Sequence, residues 1–165
     1  MKELLITGAW RCGEQQVQAL EQMGYAVTFW PDERQAVNMD TQRFEAVICG
    51  GLFLTTPIER FPALKCIQVT SAGLDRVPLD YCKAHGITVY NAGGVYSAPM
   101  AEFVLGGILQ LYKESKFFAG NQAAHRWEKH RGLRELSGKT ACIIGTGSVG
   151  SAIARRLRAF DVQTV

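Results

Sequence analysis

The chain has 165 residues, 47% of them hydrophobic, and a formal net charge of +3. That length suits one domain, or one domain plus part of another, and a domain near this size buries roughly 70% of its unfolded surface. So small a charge gives no ground for a nucleic-acid partner, no apolar run approaches the roughly 18 residues of a membrane span, and the opening MKELLITGAW reads as a strand start, not a secretory signal.

Short apolar runs punctuate the first part of the chain: ELLITG (3–8), AVTFW (26–30), AVICG (46–50), CIQVT (66–70) and ITVYN (87–91). Between them, Val17, Leu20 and Met23 recur at a spacing of three and form one apolar stripe, with Gly24 as the expected C-cap. Residues 77–85 repeat that pattern briefly before Gly86. The segment after Phe53 carries Pro57 and Pro62, so a short or irregular helix is expected there. Strand and helix alternating in this way imply a parallel sheet covered on both faces. The expectation is a doubly wound, flavodoxin-like α/β domain over residues 1–97, with strand order 2-1-3-4-5.

The character then changes. Residues 98–118 read as one long helix, and Gly106 and Gly107 inside it suggest close packing against another backbone. A polar connector with Trp127 follows, then Leu136-Ser137-Gly138-Lys139. A sixth strand is expected at Thr140–Ile144, a helix with the stripe Val149, Ala152, Ile153, Leu157 and Phe160, and a seventh strand beginning at Val162. Residues 98–165 thus read as the start of an incomplete Rossmann domain.

Cys12, Cys49, Cys66, Cys82 and Cys142 include no C-x-x-C pair and sit mostly in apolar runs. They read as small buried hydrophobes in a reducing cytoplasm, with no metal site. His85, His125 and His130 lack neighbours at metal or nucleophile spacing; surface positions are expected and no catalytic role is assigned.

The strongest motif is Gly145-Thr146-Gly147-Ser148-Val149-Gly150. A bare G-x-G-x-x-G is weak, but here an apolar strand precedes it and an amphipathic helix follows. Gly145 permits a tight turn, Gly147 lets the backbone approach a pyrophosphate, and Gly150 lets the helix press on the strand. The plainer reading is a strand-to-helix turn without a ligand. A residue about 20 positions after the first glycine should hold the ribose, and that position is Val165. The second motif is VTSAGLDRV (69–77), where the amides of Ser71, Ala72 and Gly73 could form an anion nest, or Asp75 could simply cap a helix. Gly93, Gly94 and Pro99 mark a joint that is a hinge or an ordinary linker, and Glu102 suits a helix macrodipole. A phosphoacceptor receiver would need an aspartate where Cys49-Gly50 stands, and GAWRCGE is a poor flavin-phosphate loop.

Ser71-Ala72-Gly73-Leu74-Asp75, Asn91 to Glu102 with Met100-Ala101-Glu102 heading a helix, Leu136–Thr140 and the Gly145 loop together resemble the D-isomer-specific 2-hydroxyacid dehydrogenase family. The resemblance covers essentially the whole chain, in the order of that family's first half. It implies a substrate domain and a Rossmann domain with the site in the cleft between them. Ser71, Ala72 and Gly73 would hold the carboxylate of a small 2-hydroxy or 2-keto acid, and Leu52 would line its pocket. Met100 would lie near the nicotinamide of NAD or NADP, and Gly145, Thr146, Gly147, Ser148, Val149 and Gly150 would bind the pyrophosphate. Residues 98–130 would form a homodimer interface. The loop GGLFLTTP lacks the hydroxyl pattern common in the family. The family's catalytic Arg, Glu and His find no counterpart, so no catalytic residue is assigned. The resemblance therefore implies a truncated dehydrogenase, inactive alone. The alternative is a non-enzymatic binding or regulatory module, or a subunit partner of an intact dehydrogenase.

Overall fold

The apolar runs become parallel strands in the computed structural model, which describes residues 1–165. The chain divides at Gly93–Gly94 into two units, so residues 94–97 fall with the long helix and not with the sheet.

In the first unit, β1 (Lys2–Thr7), β2 (Tyr25–Trp30), β3 (Ala46–Cys49), β4 (Cys66–Val69) and β5 (Thr88–Tyr90) form one sheet of order β2-β1-β3-β4-β5. All four pairings are parallel, with Leu5 opposite Thr28 on one side and Val47 on the other. The expected order is the observed one. Successive residues of β1 point to opposite faces, so its apolar run feeds two cores. Leu5 joins Val47, Ile67, Phe44, Phe61 and Leu52 on one face. Leu4 and Ile6 join Ala46 on the other, covered by Leu20 of α1 (Glu14–Gln22).

The helices are fewer than the alternation suggests. Residues 31–45, between β2 and β3, contain none. That connection is held by long-range bonds instead: Val37 N–H donates to Thr56 Oγ1 at 3.0 Å, and Thr41 Oγ1 donates to the Arg60 carbonyl at 2.5 Å. Val37 and Phe44 then fill the core that a helix would otherwise cover. After β3 come only 3-10 turns at Leu52–Leu54 and Ile58–Arg60, as Pro57 and Pro62 require. The helix α2 spans Leu79–Ala84. Gly24 and Gly86 end the two helices at φ +89° and +67°, where a side chain would be strained.

In the second unit the expected single helix is two: α3 (Ser97–Tyr112) and α4 (Ser115–Ala123), separated by Glu114 in the left-handed region at φ 49°. The end of α3 is occupied by the connector, since Arg134 N–H donates to the Tyr112 carbonyl at 3.2 Å and Lys113 Nζ to the Arg134 carbonyl at 2.8 Å. Strand β6 is only Thr140–Ala141, paired in parallel with β7 (Gln163–Thr164), because it has a partner on one side alone. Helix α5 (Ser148–Arg158) packs on α3, with Leu105, Leu136, Leu157 and Val162 as the buried core. Of the expected α5 stripe only Leu157 is fully buried, and Phe160 is 39% exposed. A methyl group built at Gly106 or Gly107 would meet nothing within 4 Å, so the backbone packing expected of them is not found within the chain.

Phe44→Ala removes a fully buried ring from the first unit and is expected to cost about 3–5 kcal/mol. Leu157→Ala is expected to cost about 2–5 kcal/mol in the second unit. Urea unfolding followed by near-ultraviolet circular dichroism checks both; an unfolding free energy lowered by less than a tenth of the expected range in Phe44→Ala would contradict the core assignment.

Candidate functional site

A residue leaving the C-terminal end of a parallel strand loses its ladder acceptor, so its N–H must find another partner or face outward. Three of the strand ends show how that need is met. At the end of β4, Thr70 N–H still reaches the Cys49 carbonyl at 2.8 Å. The next three residues turn away. Their carbonyls are all engaged: Ser71 O by Ala92 N–H at 2.9 Å, Ala72 O by Asn91 Nδ2 at 2.7 Å, Gly73 O by Ser71 Oγ at 2.9 Å. No hydrogen bond engages the N–H groups of Ser71, Ala72 or Gly73, and the last two residues are exposed. The turn is thus rigid on its carbonyl side and open on its donor side. Asp75 does not cap α2, whose N-cap is Pro78. Its Oδ1 lies 2.8 Å from where a Gly73 methyl would sit, so that position favours glycine.

At the end of β3 the donors are already taken. Glu33, from the loop after β2, accepts Gly50 N–H at 3.0 Å and Thr7 Oγ1 at 2.7 Å on Oε2, and Gly51 N–H at 2.5 Å on Oε1. Sequence reading passed over Glu33, because its partners lie 17, 18 and 26 positions away. The only local signal is an acidic residue just past the end of a strand. Leu52, which follows, is 0% exposed with its side chain in the core, so only its backbone can face a ligand.

Burial in this region also governs the thiols. Desolvation, and then the nearby Glu33 charge, push Cys49 from the ordinary 9.0 up to about 12. Burial raises Cys82 and Cys66 as well. Cys142 is exposed.

The third place is in the second unit. Gly145 sits at φ +109°, a conformation closed to ordinary side chains. Gly147 is the N-cap of α5, and Ser148 and Val149 open the helix. A methyl at Gly150 would lie 2.0 Å from the Gly145 carbonyl oxygen, so the helix presses directly on the loop. The loop is braced by Ser151, whose N–H donates to the Gly147 carbonyl at 2.9 Å and whose Oγ donates to the Thr146 carbonyl at 3.2 Å. The first amides of α5, with the positive end of its dipole, are left facing outward with Thr146 and Ser148 exposed. A cavity of about 280 Å³ beside the loop is lined by Gly145, Thr146, Gly150, Ser151, Arg158 and Val165 among others. These features fit the phosphates of a dinucleotide. Met100 stands in the first turn of α3, 51% exposed. Glu102 pairs with Arg156 at 3.3 Å and ties α3 to α5.

Of the histidines, His85 stacks on Tyr81 at 3.8 Å and His125 is exposed in a turn. His130 departs from the expected surface position: it is half-buried, 3.0 Å from Glu114 and packed on Phe117.

A parallel sheet of order 2-1-3-4-5, followed by a strand, glycine loop and helix, defines an α/β protein that continues into a Rossmann-like unit. The profile of the D-isomer specific 2-hydroxyacid dehydrogenase catalytic domain matches residues 5–158, and the chain belongs to that family. It is 31% identical over 144 residues to a glyoxylate reductase of Thermofilum pendens, covering 81% of this chain and 42% of that protein. It is 31% identical over 118 residues to the glyoxylate/hydroxypyruvate reductase HPR3 of Arabidopsis thaliana, covering 69% and 36%. Among solved structures, an NADPH-dependent glyoxylate/hydroxypyruvate reductase of Sinorhizobium meliloti in complex with citrate superimposes with TM-score 0.77 at 25% identity, over 99% of this chain and 53% of that one. A D-lactate dehydrogenase of Aquifex aeolicus with NAD and lactic acid shares the fold at TM-score 0.78 and 24% identity, over 98% and 50%. The chain spans less than half the length of those curated relatives and about half of those solved chains.

Three outcomes follow from the burial and geometry of these groups. Cys49 stays protonated in the folded chain between pH 9.0 and about 12 while the unfolded chain ionises it. Its contribution to stability is therefore fully present below pH 9 and is lost as pH rises toward 12. Under native conditions at pH 8, iodoacetamide is expected to label Cys142 and spare Cys49, as peptide mass spectrometry would show. Gly150→Ala is expected to lower the melting temperature of the second unit, since its methyl collides with backbone. Gly147→Ala, which would meet nothing within 4 Å, is expected to leave that temperature unchanged.

Proposed function

We propose that the chain supplies the acid-binding and pyrophosphate-binding parts of an NAD(P)-dependent D-2-hydroxyacid dehydrogenase. The observation that carries this reading is the glycine loop, in which Gly150 lies against the Gly145 carbonyl at a distance no side chain allows while the first amides of α5 face outward. Gly145, Thr146, Gly147, Ser148, Val149 and Gly150 would hold the pyrophosphate, and Met100 would lie near the nicotinamide. The bound nicotinamide supplies or accepts the hydride. The open amides of Ser71, Ala72 and Gly73 hold the carboxylate of a small 2-hydroxy or 2-keto acid, as backbone nests hold anions, and the backbone at Leu52 borders that site. Relatives reduce glyoxylate and hydroxypyruvate by their names, which makes two-carbon and three-carbon keto acids the first substrates to try.

Proton transfer to the keto oxygen needs a donor beside the carboxylate. Within the first unit the only histidine is His85, which is stacked on Tyr81. We read residues 1–165 by themselves as binding these ligands without turning them over. A subunit role is supported by α3, where Met100, Phe103 and Leu111 recur on one helix face at 51%, 84% and 72% exposure, with Gly107 between them. We read this face, with Trp127 beyond it, as the surface that pairs two copies, or one copy with an intact dehydrogenase subunit.

The test is titration of the ¹⁵N-labelled chain. NADH at millimolar concentration is expected to move the amide signals of residues 145–150 and glyoxylate those of 71–73, with Gly147→Ala abolishing the first response. Silence at residues 145–150 in the folded wild type would sink the cofactor assignment. Turnover of glyoxylate or hydroxypyruvate by residues 1–165 alone would sink the claim of binding without catalysis.

A further inference from the structure

We propose that Glu33 is a tethered carboxylate ligand that positions the 50–55 loop, and through it the Ser71–Gly73 turn. Its role at that turn rests on the acid-binding reading above; its ligation of the loop does not.

Three donors from two strands converge on one side chain. Thr7 closes β1, and Gly50 and Gly51 follow β3; all three residues are buried. Glu33 reaches them from the loop after β2, crossing the end of β1 to do so. Its own carbonyl accepts Thr55 Oγ1 at 2.7 Å, so the residue holds both ends of the 50–55 segment. A methyl at Gly50 would come 2.8 Å from Glu33 Oε1 and 3.2 Å from Thr70 Oγ1. A methyl at Gly51 would come 3.5 Å from Glu33 Oε1 and 3.7 Å from Arg76 Cδ. Gly50–Gly51 thus lie between Glu33 on one side and Thr70 and Arg76, from the two ends of the 70–76 turn, on the other.

The chemistry is that of a carboxylate in a backbone anion nest. The chain fills the nest at β3 with its own acid and leaves the neighbouring donors at Ser71–Gly73 open. A free acid is thereby directed to β4 and away from β3. A side chain acting only as packing would not be replaced by a small anion, whereas a ligand would.

The experiment is chemical rescue of the full 165-residue chain. In wild type, the Gly50 and Gly51 amide protons are expected downfield. Glu33→Ala is expected to lose that shift and to move Thr70 to Gly73 with it. Formate is expected to restore both in a saturable way, while chloride at equal ionic strength does not. Formate that leaves Gly50 and Gly51 unmoved would overturn the proposal. Where Glu33→Ala fails to fold, Glu33→Gln is read in the same way: upfield movement at Gly50, Gly51 and Thr70 to Gly73 supports it, and unchanged signals overturn it. Glyoxylate that fails to move residues 71–73 of wild type would defeat the acid-binding reading alone, because the formate response reports Glu33 independently.

Discussion

A parallel strand that ends inside a folded protein leaves backbone N–H groups without their ladder partners, and the structure is organised around where those groups go. At β3 they go to Glu33, a side chain of the same chain. At β4 the carbonyls are engaged and the donors are left open. After β6 the first amides of α5 stand at the head of a helix dipole. The same unmet need is answered internally in one place and remains available to anions in two.

What keeps those donors available is covalent simplicity. Gly73 has Asp75 against it, Gly50 has Glu33, and Gly150 has the carbonyl of Gly145. Each glycine lets a neighbour approach to a distance a methyl would forbid: at Gly50 this lets Glu33 reach the amide, and at Gly73 and Gly150 it keeps the turn and the loop free of a covering side chain. The second unit adds a packing constraint: α3 and α5 share Leu105, Leu157 and the Glu102–Arg156 pair, which fixes the helix that carries the glycine loop. The opposite face of α3 has no such partner in the chain, and its exposed Phe103 and Leu111 are the counterpart of glycines 106 and 107 that touch nothing.

The periodic signals were legible. The unbroken apolar run Leu4-Leu5-Ile6 announces a strand buried on both faces, and the glycine spacing at 145–150 announces a strand-to-helix turn, because both depend on neighbours a few residues away. Where the sequence misled, a distant contact had replaced a local preference. Residues 31–45 hold no helix because Val37 and Thr41 are bonded to Thr56 and Arg60. The long helix breaks at Glu114 because Tyr112 and Lys113 take Arg134 as their partner. His130 is not a free surface residue because Glu114 and Phe117 lie against it.

By itself the sequence determined the five apolar runs, the glycine loop and the family to which these belong, since period and glycine spacing are written in adjacent residues; the expected strand order became a fact only with the sheet itself. Only the tertiary structure decided that Leu52 turns into the core, that Asp75 caps no helix, and that Glu33 serves as the acid for the amides of Gly50 and Gly51. The last of these turns on groups brought to 3.0 Å or less across 17 or more positions of chain, and no periodicity encodes a hydrogen bond of that reach.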